Sequence, residues 1–429
     1  MSRRVLAICA VVVFTFGGCS ARSGTHGPAV IEPLPLQRLL PEVKQKGNGG
    51  QWVQFHPLTT ATLYSAIVTG PDGDVWFLDE NAASLVRMSL SGVIKEFNLS
   101  RFLSGNAVSM TVGADNRFYI GDESTSIVRV TQSGAATTIP IPSGDNTAID
   151  GMGLGPDGNV WFAEFSHIAK VTPSGKVTEF AYPPSLGPNQ YGGVTAGSDG
   201  NVWFAQSSAN AIGRIVPSTG TITMFTIPVG CAPAPVVLAK DNNVWFVCLT
   251  TSPMLGSITP NGTITTYSLG GTFNQNATEQ FCARGPDGEP WCASNDDNTV
   301  FRVNTSSHTV TTFKPPFGAG VRPDALTAGS DGNVWVDTAG AEIAVLVVHP
   351  IKVTPNKLSF SGLGQTKTLS VSENGATSWT ATSSNTAVAT VAQGSSKSLF
   401  NVTSVGAGSC TITISDGAGN SVAVKVTVS

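Results

Sequence analysis

Asp79, Asp122 and Glu164 each stand nine residues after the residue that opens a recurring phrase. Five residues before that opening residue, the equivalent positions include Asp150 and Asp324. Carboxylates gathered at one rim repel each other. A divalent cation such as Mg²⁺ or Ca²⁺, or a shared proton, relieves the repulsion. Solvent and neighbouring hydroxyls can satisfy the same groups without any ligand. What these side chains do therefore depends on the elements that carry them.

The phrase is clearest in "GPDGNVWFAE", which begins at Gly155. Its opening residue is Gly70, Gly113, Gly155, Gly197, Ala239, Gly285 and Gly329, seven copies at intervals of 42 to 46 residues. Each copy reads as an apolar strand, a turn such as Pro-Asp-Gly, a strand around Val-Trp-Phe and two further strands, such as "AIGRIV" and "KVTEFAYP". Four short strands at this period are the signature of propeller blades. The sequence thus predicts an all-β chain with a seven-bladed β-propeller over residues 51–349. Six tryptophans (Trp76, Trp161, Trp203, Trp245, Trp291 and Trp335) share one column with Tyr119, which predicts packing between blades. The last copy lacks an outer strand, and "QWVQFHPL" at 51–58 has the right pattern to supply it and close the ring.

Turn chemistry sets the strand register. Pro presets φ at the first turn position and Gly accepts φ > 0, giving a type I turn closed by a bulge. The opening residue then faces the one four positions on, and pairing continues outward. This register places Asp150 opposite Glu164. It also places Cys282 opposite Cys292 at a non-hydrogen-bonded pair, where side chains come closest. A Cys282–Cys292 disulfide is expected, with Cys231 and Cys248 as a second pair near one rim of the fifth copy.

Arg3 and Arg4 precede a short apolar run, Val5 to Phe16, followed by Gly17-Gly18-Cys19. Residues 1–19 read as a lipoprotein signal peptide whose lipobox cysteine, Cys19, carries lipid. Residues 20–50 read as a flexible tether. The expected setting is the bacterial cell envelope, lipid-anchored to a membrane, on the periplasmic or outer surface, where disulfides persist. Charged residues make up only 12% of the chain and the formal net charge is −4, so nothing suggests nucleic-acid binding. From residue 350 to 429 the period stops, and β-branched and small polar residues alternate between Gly- and Asn-rich turns. This predicts a small β-sandwich, with Cys410 as a buried core residue.

Two resemblances follow from these runs. The C-terminal pattern resembles bacterial immunoglobulin-like domains of the Big family, which implies a spacer or adhesive module. "GPDGNVWFAE", "NAIGRIVPSTGTITMFTIP" and "GKVTEFAYP" resemble the streptogramin (virginiamycin B) lyase family of seven-bladed propellers, over about residues 51–348. The resemblance implies carbon–oxygen elimination on a cyclic depsipeptide, using histidine and glutamate with Mg²⁺. The family's histidines fall five positions before the opening residue of the last two blades. Here those positions are Gln280 and Asp324, and Arg322-Pro323-Asp324 replaces a Glu-Pro-His pattern. The family's remaining Glu meets Thr338 and Ala339, and its first-blade Tyr is approximated by Tyr64. The expected function is therefore an anchored lipoprotein whose propeller face, marked by Asp79, Asp122, Asp150, Glu164, Asp324 and Tyr64, binds a protein, glycan or small ligand without lyase chemistry. The alternative is a lyase-like or other metal-assisted enzyme on the same face.

Overall fold

The computed structural model describes residues 29–30, 37–38, 41–47, 50–55, 64–143, 149, 151–184, 186, 192–248, 254–269, 280–316, 321–338, 342–348, 351–372, 378–416 and 421–429. Cys19 and the signal segment lie outside them. Apart from one 3-10 turn at Ser207–Ala209, the regular elements are all strands. No helix among the described residues is long and apolar enough to cross a membrane.

Seven antiparallel sheets form the propeller; six contain four strands in sequence order and the seventh contains three. Their inner strands are Tyr64–Thr69, Ala107–Val112, Met152–Leu154, Val194–Ala196, Pro233–Leu238, Gln280–Arg284 and Pro323–Ala328. The last blade is closed from the other end of the chain. Gly50–Phe55 pairs antiparallel with Ile343–Val347, Phe55 opposite Ile343 and Trp52 opposite Leu346. This is the outer strand that the sequence predicted.

Part of the expected tether is built into the propeller. Pro41–Gly47 adds to the closing strand, Gln37–Arg38 to the outer strand of blade 1, and Ala29–Val30 to that of blade 2. Unpaired edge strands are open templates for association, and these segments cover three of them. Their pairing is by backbone, which residue type does not announce.

The repeated phrase is a local lock. Asp157 Oδ1 accepts the indole N–H of Trp161 at 2.9 Å. The same bond recurs from Trp76 to Asp72 at 3.0 Å, Trp203 to Asp199 at 3.0 Å, Trp245 to Asp241 at 3.1 Å, Trp291 to Asp287 at 2.9 Å and Trp335 to Asp331 at 3.2 Å. Tyr119 substitutes its phenol, which donates to Asp115 at 3.1 Å. A side chain on Gly155 would run into the Trp161 indole, which explains the glycine that opens six of the seven copies; Ala239 is the exception. The turn closes as expected, with Gly158 at φ 74°. Trp161 is completely buried. Burying a ring of this size removes about 200 Å² from water, worth about 5 kcal/mol as an upper estimate.

The C-terminal residues form two four-stranded sheets. Leu369, Val371, Phe400 and Val402 of one share a core with Ile412, Ile414, Val424 and Val426 of the other. That is a β-sandwich, and Cys410 is a buried free cysteine within it.

Candidate functional site

The inner strands enclose a central channel. At one end lies a cavity of 540 Å³, lined by residues of all seven blades. Its wall is mostly small and apolar, including Ala66, Val108, Met152, Gly192, Ala234 and Leu326. On the side of blades 3 to 5 the backbone itself forms the wall. Gly193 N–H donates to Ala234 C=O of the next blade at 3.0 Å. A Cβ on Gly151 would collide with the Gly192 carbonyl, so only glycine permits this approach. On the opposite side, Asp324 of blade 7 and Glu80 of blade 1 supply the charged side chains among the described lining residues.

Asp324, one of the expected site residues, therefore lies on the channel wall. Asp79, Asp122 and Glu164 do not. All three are buried, at 5%, 0% and 4% exposure. Asp79 Oδ1 accepts the Ala82 N–H at 3.0 Å. Asp122 Oδ2 accepts the Ser104 N–H at 2.9 Å, and its Oδ1 accepts the Ser124 hydroxyl. Glu164 Oε2 lies 3.5 Å from Ser143 Oγ and 3.8 Å from His167 Nδ1. Later blades tie down a loop at the same column with other chemistry. Cys248 forms a disulfide with Cys231, Ser294 Oγ donates to Asp297 at 2.9 Å, and Thr338 Oγ1 donates to the Glu342 carbonyl at 2.9 Å. The drift from Asp to Thr around the ring is a series of solutions to one loop-pinning problem. Burial raises the Asp79 carboxyl above its ordinary range, partly offset by the backbone N–H groups of Ala82 and Asn81.

The reason lies in the register. In blade 6 pairing follows the expected rule, with Gln280 opposite Ser294 and Cys282 opposite Cys292, and the Cys282–Cys292 disulfide is present. In blades 1, 2, 5 and 7 a bulge shifts the inner strand by one residue. Tyr64 then faces Asp79, Ala107 faces Asp122, Pro233 faces Cys248 and Pro323 faces Thr338. The bulge frees the residue five before the opening position from its expected partner, and in blades 2, 5 and 7 that residue, Val108, Ala234 or Asp324, lines the channel. Asp150 lies outside the described residues, as does the side chain of Tyr64.

Sequence reasoning missed Asp337. Its column is otherwise Leu78, Gly121, Ala163, Ala205, Val247 and Ala293, so an acid there breaks the pattern. Asp337 is completely buried on the face that packs toward blade 1. Its Oδ1 accepts the N–H of Ala325, a residue of the channel wall freed by the blade 7 bulge. Its Oδ2 has no hydrogen-bond partner. Burial, then the charge of Asp324 and that of Glu80, hold its carboxyl well above the usual carboxylate range.

The described residues of this wall do not fit the Mg²⁺ implied by the resemblance. Among the described residues, no three His, Cys, Asp or Glu side chains are grouped to hold a metal ion. Of the described histidines, His167 begins a third strand beside Glu164, and His308 stacks on Tyr267. Neither lines the cavity.

Solved structures place the architecture. A streptogramin B lyase structure is 25% identical and superposes with a TM-score of 0.62, covering 69% of this chain and 96% of the other. A catalytically inactive virginiamycin B lyase from Staphylococcus aureus, solved with quinupristin, is 24% identical with a TM-score of 0.62, covering 69% and 99%. The WD40 propeller domain of Doa1 shares the fold at 12% identity and a TM-score of 0.52, covering 67% and 95%. No curated protein matches the chain. The model of the virginiamycin B lyase family matches residues 42–188 and 188–349, most of the chain and the four main strands of every blade, and the chain belongs to that family.

Proposed function

We propose that this chain is an extracytoplasmic binding protein whose ligand or partner enters the channel cavity, without the family's lyase chemistry. The observation that carries this reading is Asp324. It occupies the wall position where the family resemblance puts a histidine, with Arg322 exposed two residues before it. A carboxylate beside Glu80 and Asp337 is suited to holding positive charge. Elimination of the family's kind needs a base matched to a polarised leaving group. Two disulfides support an oxidising compartment. Lipid attachment at Cys19 would hold the propeller at a membrane, with the C-terminal sandwich, read as Ig-like, as spacer or docking module.

The test is incubation of the purified chain with a streptogramin B antibiotic, followed by chromatographic separation of cyclic and linear forms. Elimination leaves the mass unchanged, so retention time is the readout. Unchanged cyclic antibiotic is expected. Protein-dependent linearisation, catalytic in protein, would overturn the proposal.

A further inference from the structure

Among the described residues of the channel wall, the charged side chains, Asp324 and Glu80, lie together on blades 7 and 1, opposite the glycine-lined wall of blades 3 to 5. Behind the acidic pole sits a third carboxyl, Asp337. It is fully buried and bound through Oδ1 to the Ala325 amide of the wall, with Oδ2 unpartnered. A buried acid with half its acceptor capacity unused costs stability unless something uses it. The rest of the described wall is mostly small and apolar, with hydroxyls at Ser109, Thr111 and Thr327.

We propose that the cavity is a site for an amphiphilic organic cation, its ammonium or amidinium head at Asp324 and Glu80 and its apolar body against the inner strands. This deepens the binding function proposed above and rests on it. An organic cation fits where a metal ion does not. An amidinium can be shared between two carboxylates by hydrogen bonds, whereas a metal needs several ligands converging on one point. Asp337 adds a second property. Burial first, then the negative charges that face it, Asp324 from its own blade and Glu80 from blade 1, favour its protonated form. A cation at the pole opposes the charge part of that shift, so ligand binding is expected to draw protons from Asp337.

The probes are benzamidine and benzamide, near-identical in shape and different in charge. Calorimetric titration of the full chain should show benzamidine binding at least tenfold tighter. Asp324→Asn should weaken benzamidine about tenfold, the loss of one charge-assisted hydrogen bond, and leave benzamide unchanged. In buffers of different ionisation heat, benzamidine should release protons from the native chain. It should release none from Asp337→Asn, which keeps the acceptor for Ala325. Near-UV circular dichroism of the buried tryptophans reports whether each variant is folded. Equal binding of the two probes overturns the charge assignment and leaves channel binding standing. Binding of neither overturns both. Stoichiometric displacement of benzamidine by MgCl₂ at constant ionic strength would make the site a metal site. Proton release that persists in Asp337→Asn would remove Asp337 from it.

Discussion

At the turn end of every second strand, an aspartate accepts a hydrogen from the aromatic ring four residues on: six indoles and one phenol. At the far end of the same strands stand Asp79, Asp122, Glu164, Gln206, Cys248, Ser294 and Thr338, seven positions filled by six residue types. The aromatic rings at the first end and all seven side chains at the second are buried. The first must meet the neighbouring blade in one fixed geometry, so one chemistry serves throughout. The second holds down a loop, and loops differ in length and course from blade to blade. Variation along a repeat therefore marks freedom of solution as readily as it marks a ligand.

Three measurements bear on that contrast. Trp161→Ala should cost about 3–5 kcal/mol, because the cavity left between blades cannot collapse against a rigid neighbour. Urea unfolding reads it, and a cost below about 1 kcal/mol would remove the lock from the account. Asp122→Ala should cost less, about 1–3 kcal/mol, by orphaning the Ser104 N–H and the Ser124 hydroxyl. The same variant should bind benzamidine as the native chain does; weakened binding would return this column to the ligand site.

The smallest effect concerns pH. Asp337 titrates higher folded than unfolded, so the folded state binds more protons above about pH 4, where an unfolded Asp ionises. Its contribution to stability is present below that value and is lost as pH rises toward its raised folded value. Asp337→Asn should therefore show a shallower decline of melting temperature with pH, starting from the ordinary carboxylate range. An unchanged profile would mean that Asp337 ionises normally.

What the sequence reveals follows the same division. The seven copies, the Trp column, the Cys282–Cys292 pair and the closing strand at 50–55 were all legible, because each depends on a period or a register that residue types announce. The bulges in blades 1, 2, 5 and 7 were not. A bulge is set by how the inner strand bends at the channel, and no Gly or Pro pattern common to those four blades flags it. Without the bulge, Asp79 and Asp122 looked like rim residues, and Asp324 looked like their equal. Asp337 is the one acid in a small apolar column, a single departure that the neighbouring column, rich in carboxylates, outweighs. The strands at 29–30, 37–38 and 41–47 left no trace, since edge pairing engages the backbone alone.

The closing strand also sets an order of events in time. Gly50–Phe55 is among the first propeller residues to leave the ribosome, and its partner, Ile343–Val347, is the last propeller strand to do so. Through the synthesis of six blades, the early strand has only its neighbour Pro41–Gly47 to pair with, and the edge that will meet Ile343–Val347 waits. The ring can lock only in a final step that joins residues far apart in sequence, the kind of contact that slows folding and leaves an apolar edge open meanwhile. Whatever shields that edge before the seventh blade arrives governs how much of the chain reaches its closed form.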